Sequence, residues 1–329
     1  MKRKLRIIGL CMAVAISFTA AAAQQGINIL INGNKLVPKD ANGNIVEPFL
    51  KDGTTYLPIR AIGEAFGKNV SWDGETQTIS ITDANIADQN ISDKNISYEY
   101  GELIYENPLA KEEDTKNFVM EGNASVSFRN GKMRLENNLD PSLGQEANYV
   151  YWCDKKLPDS IIIEWSFKPL NDDGLAIMFF SADGQNGKDL FDPSLAKRDG
   201  QYKQYHSGDI NAFHVSYFRH STNEERCFHV CNLRKSAGFY MVAQGADPLP
   251  PAKDVIEPYR MKIIKDKEIV RFYITDPVTG IELMPFEFTD NEEQYGKYLE
   301  GGYIGFRQKA PLIAEYSDLK VYKAIRKES

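Results

Sequence analysis

Cysteine and histidine are scarce in this sequence, at four residues each in 329, and no apolar run reaches the roughly 20 residues that a membrane-spanning helix needs. The cysteine count excludes a disulfide scaffold. Cys11 lies in an amino-terminal leader, and Cys153, Cys227 and Cys231 leave an odd thiol once the leader is removed. An excess of positive charge is also lacking: 39 Lys and Arg stand against 46 Asp and Glu, for a formal net charge of −7. Such a balance argues against a protein that coats nucleic acid or anionic membrane, so an acidic ligand must meet a local basic patch. What is present, 42% apolar and 26% charged residues with 24 Gly and 15 Pro, describes a soluble globular chain with room for one large domain and one small one.

Residues 1–23 read as a secretory signal peptide: the basic start MKRKLR, an apolar stretch from Ile7 to Phe18, and small residues from Thr19 to Ala23 that offer an A-x-A cleavage site. Leu10 fills the position before Cys11 where a lipoprotein signal wants a small residue, which argues against lipid anchoring. The mature chain is therefore expected outside the cytoplasm, secreted or associated with the cell wall, with no membrane attachment after cleavage.

Residues 24–83 alternate short strand-like runs with turns around one helix, Ile59 to Phe66. There Ile59, Ile62, Ala65 and Phe66 recur at helical spacing between Pro58 and Gly67. This is a small α+β module. Its stretch DGTTYLPIRAIGEAFG, followed by VSW and TISI, resembles the copper amine oxidase N-terminal-like domain of secreted bacterial proteins. Between Gln24 and Asn95 there is no His, Cys or Met, so the ligands copper prefers are missing, and the module reads as structural or as a wall-attachment unit. Residues 84–97, in which Asn-Ile recurs at 85, 90 and 95, form a polar linker.

From residue 98 to 329 many strand-like runs are separated by Gly, Pro, Asn and Asp clusters, with no helical period between them. The pattern predicts a mainly β fold, one antiparallel jelly-roll sandwich whose concave sheet forms a ligand trough. IIIEWSF and LAIMFF are apolar on both faces and belong at mid-sheet.

All four histidines, His206, His214, His220 and His229, fall within 24 residues. The surrounding segment, Lys197 to Lys235, carries seven Lys or Arg against four acids, the local reversal of charge an anionic ligand requires. Strict alternation places His214, Ser216, Phe218 and His220 on one face of the first run, and Cys227, His229, Cys231 and Leu233 together on the second. A hairpin centred on Thr222 and Asn223 then sets His214 opposite Cys231 and Ser216 opposite His229. A metal held by His214, His229 and Cys231 is conceivable, but no zinc-type cysteine spacing is present. A structural calcium ion in the loop containing Asp183, Asn186, Asp189 and Asp192 lacks the EF-hand spacing. No other metal or cofactor is implied.

Nine motifs, among them YENP at 105–108, DLFDPSL at 189–195, YHSGDINA at 205–212, CNLRKS at 231–236 and IGFRQ at 304–308, together resemble the YesU-type family over nearly all of residues 100–325. The resemblance implies a concanavalin A-like jelly roll found beside genes for breaking down pectic rhamnogalacturonan. Members often lack a leader; the signal peptide and the extra module here put the substrate outside the cell.

Two functions remain open. The first is elimination, of lyase or dehydratase type, on a uronate-containing oligo- or polysaccharide, which needs a base, an acid and a group that neutralises the carboxylate. The expected roles are His214 as base, Tyr205 or His206 as acid, His229 as an orienting partner, and Arg219, Arg234 or Arg307 with Asn232 as the carboxylate clamp. The second is non-catalytic carbohydrate binding on the same trough, with Trp152, Tyr202, Tyr205 and Tyr217 stacking on sugar rings and Asn211 and Asn232 bonding hydroxyls. Hydrolysis is the weaker enzymatic option, because the segment offers only Asp209, Glu224 and Glu225 as carboxylates, with Glu164 more distant.

Overall fold

The computed structural model describes residues 27–31, 34–39, 44–66, 68–73, 77–83, 96–222, 225, 229–292 and 294–328. Residues 1–23, read above as a leader, residues 84–95 of the segment read as a linker, Cys227 and Glu224 lie outside the described residues. Two compact units, Met1–Lys94 and Asn95–Ser329, divide the chain. Among the described residues no helix is long and apolar enough to cross a membrane.

Among the described residues the first unit holds three two-stranded antiparallel pairs: β1 (Ile29–Ile31) with β2 (Asn34–Leu36), β3 (Phe49–Lys51) with β4 (Thr54–Tyr56), and β5 (Lys68–Asp73) with β6 (Thr78–Asp83). Between the second and third pairs lies α1 (Ile59–Ala65), which follows Pro58 as expected. The face it buries differs from the one its apolar spacing suggests. Ala61 and Gly63 are buried, whereas Ile59 and Phe66 are exposed. The reason is close approach: a Cβ at Gly63 would collide with the Val70 γ-methyl, so the helix lies on β5 through its smallest side chains.

The second unit is a two-layer antiparallel sandwich. In chain order its elements are β7 (Ile96–Asn107), α2 (Glu112–Thr115), β8 (Val119–Gly122), β9 (Ala124–Arg129), β10 (Lys132–Asn137), β11 (Tyr149–Trp152), β12 (Ile161–Pro169) and β13 (Gly174–Gly184). Then come α3 (Lys203–His206), β14 (Ile210–His220), β15 (Val230–Ser236) and β16 (Tyr240–Ala246). The last are β17 (Tyr259–Asp266), β18 (Ile269–Thr275), β19 (Glu282–Thr289), β20 (Tyr303–Lys309) and β21 (Ile313–Glu328). One sheet runs β19-β18-β17-β12-β21-β10-β9 with β7 also on β21, and the other runs β16-β15-β14-β13-β20-β11-β8.

Alternation builds the core. Ile161, Ile163, Trp165 and Phe167 of β12 point inward with Met133 and Leu135 of β10, and meet Phe213, Val215 and Tyr217 of β14 from the facing sheet. The Trp165 indole N–H donates to the Tyr217 hydroxyl at 3.2 Å, and Phe167 meets the Tyr217 ring edge-on at 4.9 Å. Tyr217 is thus sealed between the sheets and offers no surface to a sugar. β12 and β13 are apolar on both faces because both faces are covered. Ile162 packs outward with Ile264 and Ala324, and Ile177 and Phe179 pack outward beneath residues 185–209.

Candidate functional site

The outer face of the seven-stranded sheet supplies the candidate site, and much of that face is roofed by the chain itself. Residues 185–209, between β13 and β14, lay Leu190, Tyr205, Phe191, Leu195 and Tyr202 on Val150, Trp152, Ile177, Phe179 and Ala212. Two guanidinium groups fasten this roof. The buried Arg198 makes a forked contact with Glu121, at 2.8 Å from Nη2 and 3.1 Å from Nε, and donates to the Leu190 carbonyl at 2.9 Å. Arg307, fully enclosed, donates to the Gly200 carbonyl at 2.6 Å. Gly200 has φ +101 and lies against the Asn148 carbonyl, so no side chain fits there.

Under the roof lie several residues expected to meet substrate. Trp152 is fully buried, with its ring against Phe179 and Tyr205 and its N–H on Glu121 at 2.9 Å, so it has no face for a sugar. Tyr205 is likewise buried; its hydroxyl accepts from the Gly200 N–H at 3.0 Å, and burial pushes the phenol up. Neither serves as an acid or a stacking platform; both hold the roof. His214 is 1% exposed, packed against Phe179 and Tyr202 at 5.1 and 5.6 Å, and neither ring nitrogen has a hydrogen-bond partner. Burial, with Arg234, His206 and Arg307 nearby, holds its pKa well below the usual 6.5. A sealed, neutral imidazole cannot take a proton from a ligand in solvent, which corrects its assignment as the base.

The more open part of the face runs from the half-buried Tyr202 to Arg219 at the end of β14, Arg234 of β15 and the exposed strand β16. Arg234 places its guanidinium carbon 4.0 Å from the centre of the Phe239 ring, and His206 stacks on the same ring at 4.0 Å. The His206 Nδ1 lies 2.7 Å from the Ser207 hydroxyl. Burial, then Arg234 and Arg307, lowers the His206 pKa, so this half-exposed ring is neutral at pH 7. Arg219 bonds Glu225 at 2.6 Å, and its Nη1 lies 2.6 Å from the Asn232 amide, which Gln244 meets on another side at 2.6 Å. Arg307 reaches the Tyr202 ring at 4.9 Å from within. The Tyr202 hydroxyl therefore sits in the field of three guanidinium groups, Arg307, Arg234 and Arg219; burial nevertheless prevails and pushes the phenol up to about 12.

The register of the hairpin differs from the one expected. His214 pairs with Arg234 and Ser216 with Asn232, a slip of three residues that puts Cys231 and Leu233 in the sandwich core. A β-bulge in β14 adds a second change. Tyr217 and Phe218 both point inward, Phe218 with φ +46, so the alternation shifts by one residue. Arg219 then emerges on the outer face, while His220 turns inward to stack on Phe218 at 4.1 Å and to meet His229 at 5.2 Å. His229 and Cys231 are thus divided from His214 by the sheet, and the metal set His214, His229 and Cys231 is not assembled. Among the described residues no group of three His, Cys, Asp or Glu is placed to hold a metal.

Asp209 and Asn211 lie away from this face. One oxygen of Asp209 accepts from the Ala196 N–H at 2.6 Å, pinning the roof, and Asn211 opens on a cleft at the end of the sandwich. In the acidic loop the Lys156 ammonium lies between Asp183 and Asp189, at 2.5 and 3.7 Å, and Asp192 caps its own turn at Ser194.

Asp247 holds the bulge in place. Its carboxylate accepts from the Phe218 N–H at 2.6 Å and from the Leu249 N–H at 3.1 Å. Burial pushes its pKa from 3.8 to about 6, outweighing those two bonds and the nearby His229 and Arg219. A raised carboxyl pKa favours the folded state most below pH 3.8, and the benefit fades as pH rises through about 6; it amounts to roughly 3 kcal/mol. Asp247→Asn keeps an oxygen acceptor for the bulge and is expected to remove this gain on acidification. Urea unfolding at several pH values checks it, and an unchanged pH slope would refute the assignment.

Residues 102–321 match the profile of DUF1961, described as a domain of unknown function. The chain belongs to the DUF1961 family. YesU of Bacillus subtilis (strain 168) is 48% identical over 230 residues, covering 70% of this DUF1961 chain and 100% of that protein. A crystal structure from Bacillus subtilis, described as a protein of unknown function with a galectin-like fold, superposes with a TM-score of 0.65 at 48% identity, over 70% of this chain and 100% of that one. The carbohydrate recognition domain of Emp46p, in potassium-bound form, gives a TM-score of 0.43 at 12% identity over 70% of this chain and 100% of that one. Residues 30–131 match the copper amine oxidase N-terminal domain and run past the module and through β9. The module's lack of imidazole and sulfur donors does not fit copper, and no copper chemistry is derived from it.

Proposed function

We propose that this DUF1961 chain is a glycan-related protein that captures a carboxylated saccharide on the open edge of the outer face. The observation that carries this reading is the gathering of guanidinium groups on one face of an acidic chain: Arg234 lies on the Phe239 ring that Tyr202 and His206 also meet, and Arg219 is held by Asn232 of the same strand as Arg234 and by Glu225. Arg234 and Arg219 have the planar fork that grips a carboxylate with two bonds. Gln244 supplies an exposed amide for ring hydroxyls, Asn232, 3% exposed, holds Arg219 and Gln244 from beneath rather than meeting the ligand, and the Phe239 edge and Tyr202 supply apolar contact. Arg307, fully enclosed, contributes field rather than contact.

Calorimetric titration with trigalacturonate, and with galactotriose as the uncharged control, tests the reading. The acidic trimer is expected to bind with strong salt dependence and the control not to bind at this face. Arg234→Ala and Arg219→Ala should each weaken binding about 10- to 100-fold, the size of one lost charged hydrogen bond. Equal affinity for both trimers, indifferent to either substitution, would remove the basis of the proposal.

Elimination is a second reading, favoured by one observation: His206 offers a neutral, half-exposed imidazole beside Arg234. In that chemistry His206, not His214, takes the proton on the carbon next to the carboxylate, a double bond forms to the adjacent carbon as its bond to the glycosidic oxygen breaks, and the departing oxygen takes a proton from solvent. The wild type would then generate an unsaturated, ultraviolet-absorbing product from polygalacturonate, and His206→Ala would bind without producing it. If the wild type yields no such product, only capture stands.

A further inference from the structure

We propose that the cleft at the end of the sandwich, where β13 ends, β14 begins and β15 ends, binds a neutral, hydroxyl-rich oligosaccharide, independently of the arginine face. At about 1360 Å³ the cleft exceeds the roughly 300–1,000 Å³ of a small-molecule pocket, which suits an oligomeric ligand. Its charges are largely spent on one another. Lys156 bonds Asp183 at 2.5 Å, Lys235 bonds the buried Asp290 at 2.6 Å, and Asp159 bonds Lys265 at 2.7 Å. Lys267, Lys297 and Glu300 are exposed at the rim, where salt screens them. This is the reverse of the arginine face, and it selects against a strongly charged ligand.

What remains in the wall is neutral hydrogen-bonding capacity. Asn186 is exposed at a turn with φ +59, Asn211 opens β14, and Ser181 lies at the register shift of β13. Ser236 is 1% exposed, and its hydroxyl has no partner. A buried hydroxyl left unpaired costs about 1–3 kcal/mol, which a ligand hydroxyl arriving at this wall would recover. Tyr298, 39% exposed, also lines the cleft and presents a ring on which a sugar face can lie. Paired charges, unpaired hydroxyl, side-chain amides and one open aromatic ring together describe a site for a polyol chain.

The experiment is calorimetric titration of the mature full chain with β-1,4-linked galactotetraose and, separately, β-1,4-linked glucotetraose, the two arms reporting which hexose the cleft accepts. At least one should bind saturably with little dependence on salt. Tyr298→Ala, and Asn186→Gly, which keeps the left-handed backbone, should each weaken it about tenfold, whereas Arg234→Ala should leave it unchanged. Ser236→Ala adds a check on folding: the melting temperature should hold or rise, because an unpaired group is removed, while the affinity falls several-fold. The proposal is overturned if neither tetraose binds, if full affinity survives Tyr298→Ala and Asn186→Gly, or if Arg234→Ala abolishes the binding.

Discussion

Arg198→Ala is expected to destabilise the jelly roll by about 3–5 kcal/mol, because it strands the Glu121 carboxylate in a site built for a forked partner. Both side chains are almost wholly buried, and the Trp152 indole and the Leu190 carbonyl depend on the same pair. The loss should concentrate in residues 185–209, so limited proteolysis ought to nick that segment before the sheets unfold. Replacing both charges together, as Arg198→Met with Glu121→Leu, should restore most of the stability, since no lone charge is left behind. A single variant as stable as the wild type in urea would show that the roof is held by its apolar contacts alone.

His214→Leu is the second large effect, and its sign is the opposite. Removing an imidazole whose two nitrogens are buried without partners should stabilise the fold by about 1–3 kcal/mol at neutral pH. The gain should grow on acidification. A histidine whose folded pKa is depressed withdraws stability as pH falls below its unfolded value of 6.5, because the unfolded chain takes up the proton and the folded chain does not. Asp247 works in the other direction over part of the same range, so the wild type should show a shallower acid slope than either group alone would give. Urea unfolding from about pH 7 to about pH 4 separates the two. A loss of stability at neutral pH in His214→Leu would mean that the ring nitrogens have partners; loss of trigalacturonate binding with the fold intact would return His214 to the ligand.

The jelly roll was readable from short strands bounded by turn residues, and the central positions of β12 and β13 from their two apolar faces. The basic, histidine-bearing segment was equally visible as the place to look, and Arg219, Arg234 and Asn232 do meet on one face. Burial was not visible. Whether Trp152, Tyr205 and His214 face solvent depends on residues 185–209 returning over the sheet, and that return rests on Arg198 with Glu121 and Arg307 with Gly200, pairs separated by 77 and 107 positions. Alternation carries no information about such distant partners. Nor could it reveal the hairpin register, since no Asn-Gly or Asp-Gly pair fixes the turn, or the bulge at Phe218, since Phe suits either face. Phe239 and Gln244, which help shape the open edge, lie outside the histidine cluster; the cross-strand pairing of Asn232 with Gln244 is what brings the amide in.

The extra residue in β14 acts as a parity switch. Upstream of Phe218 even-numbered side chains look outward, and downstream odd-numbered ones do, so the outer face of this strand is written in two reading frames joined at one hinge of the backbone. Straightening that hinge with every residue kept would leave the sandwich its strand count and its loops, yet turn the Arg219 cation toward the oily interior and His220 toward water. What this edge presents to solvent is therefore set by one bend of the backbone as much as by the identity of any side chain.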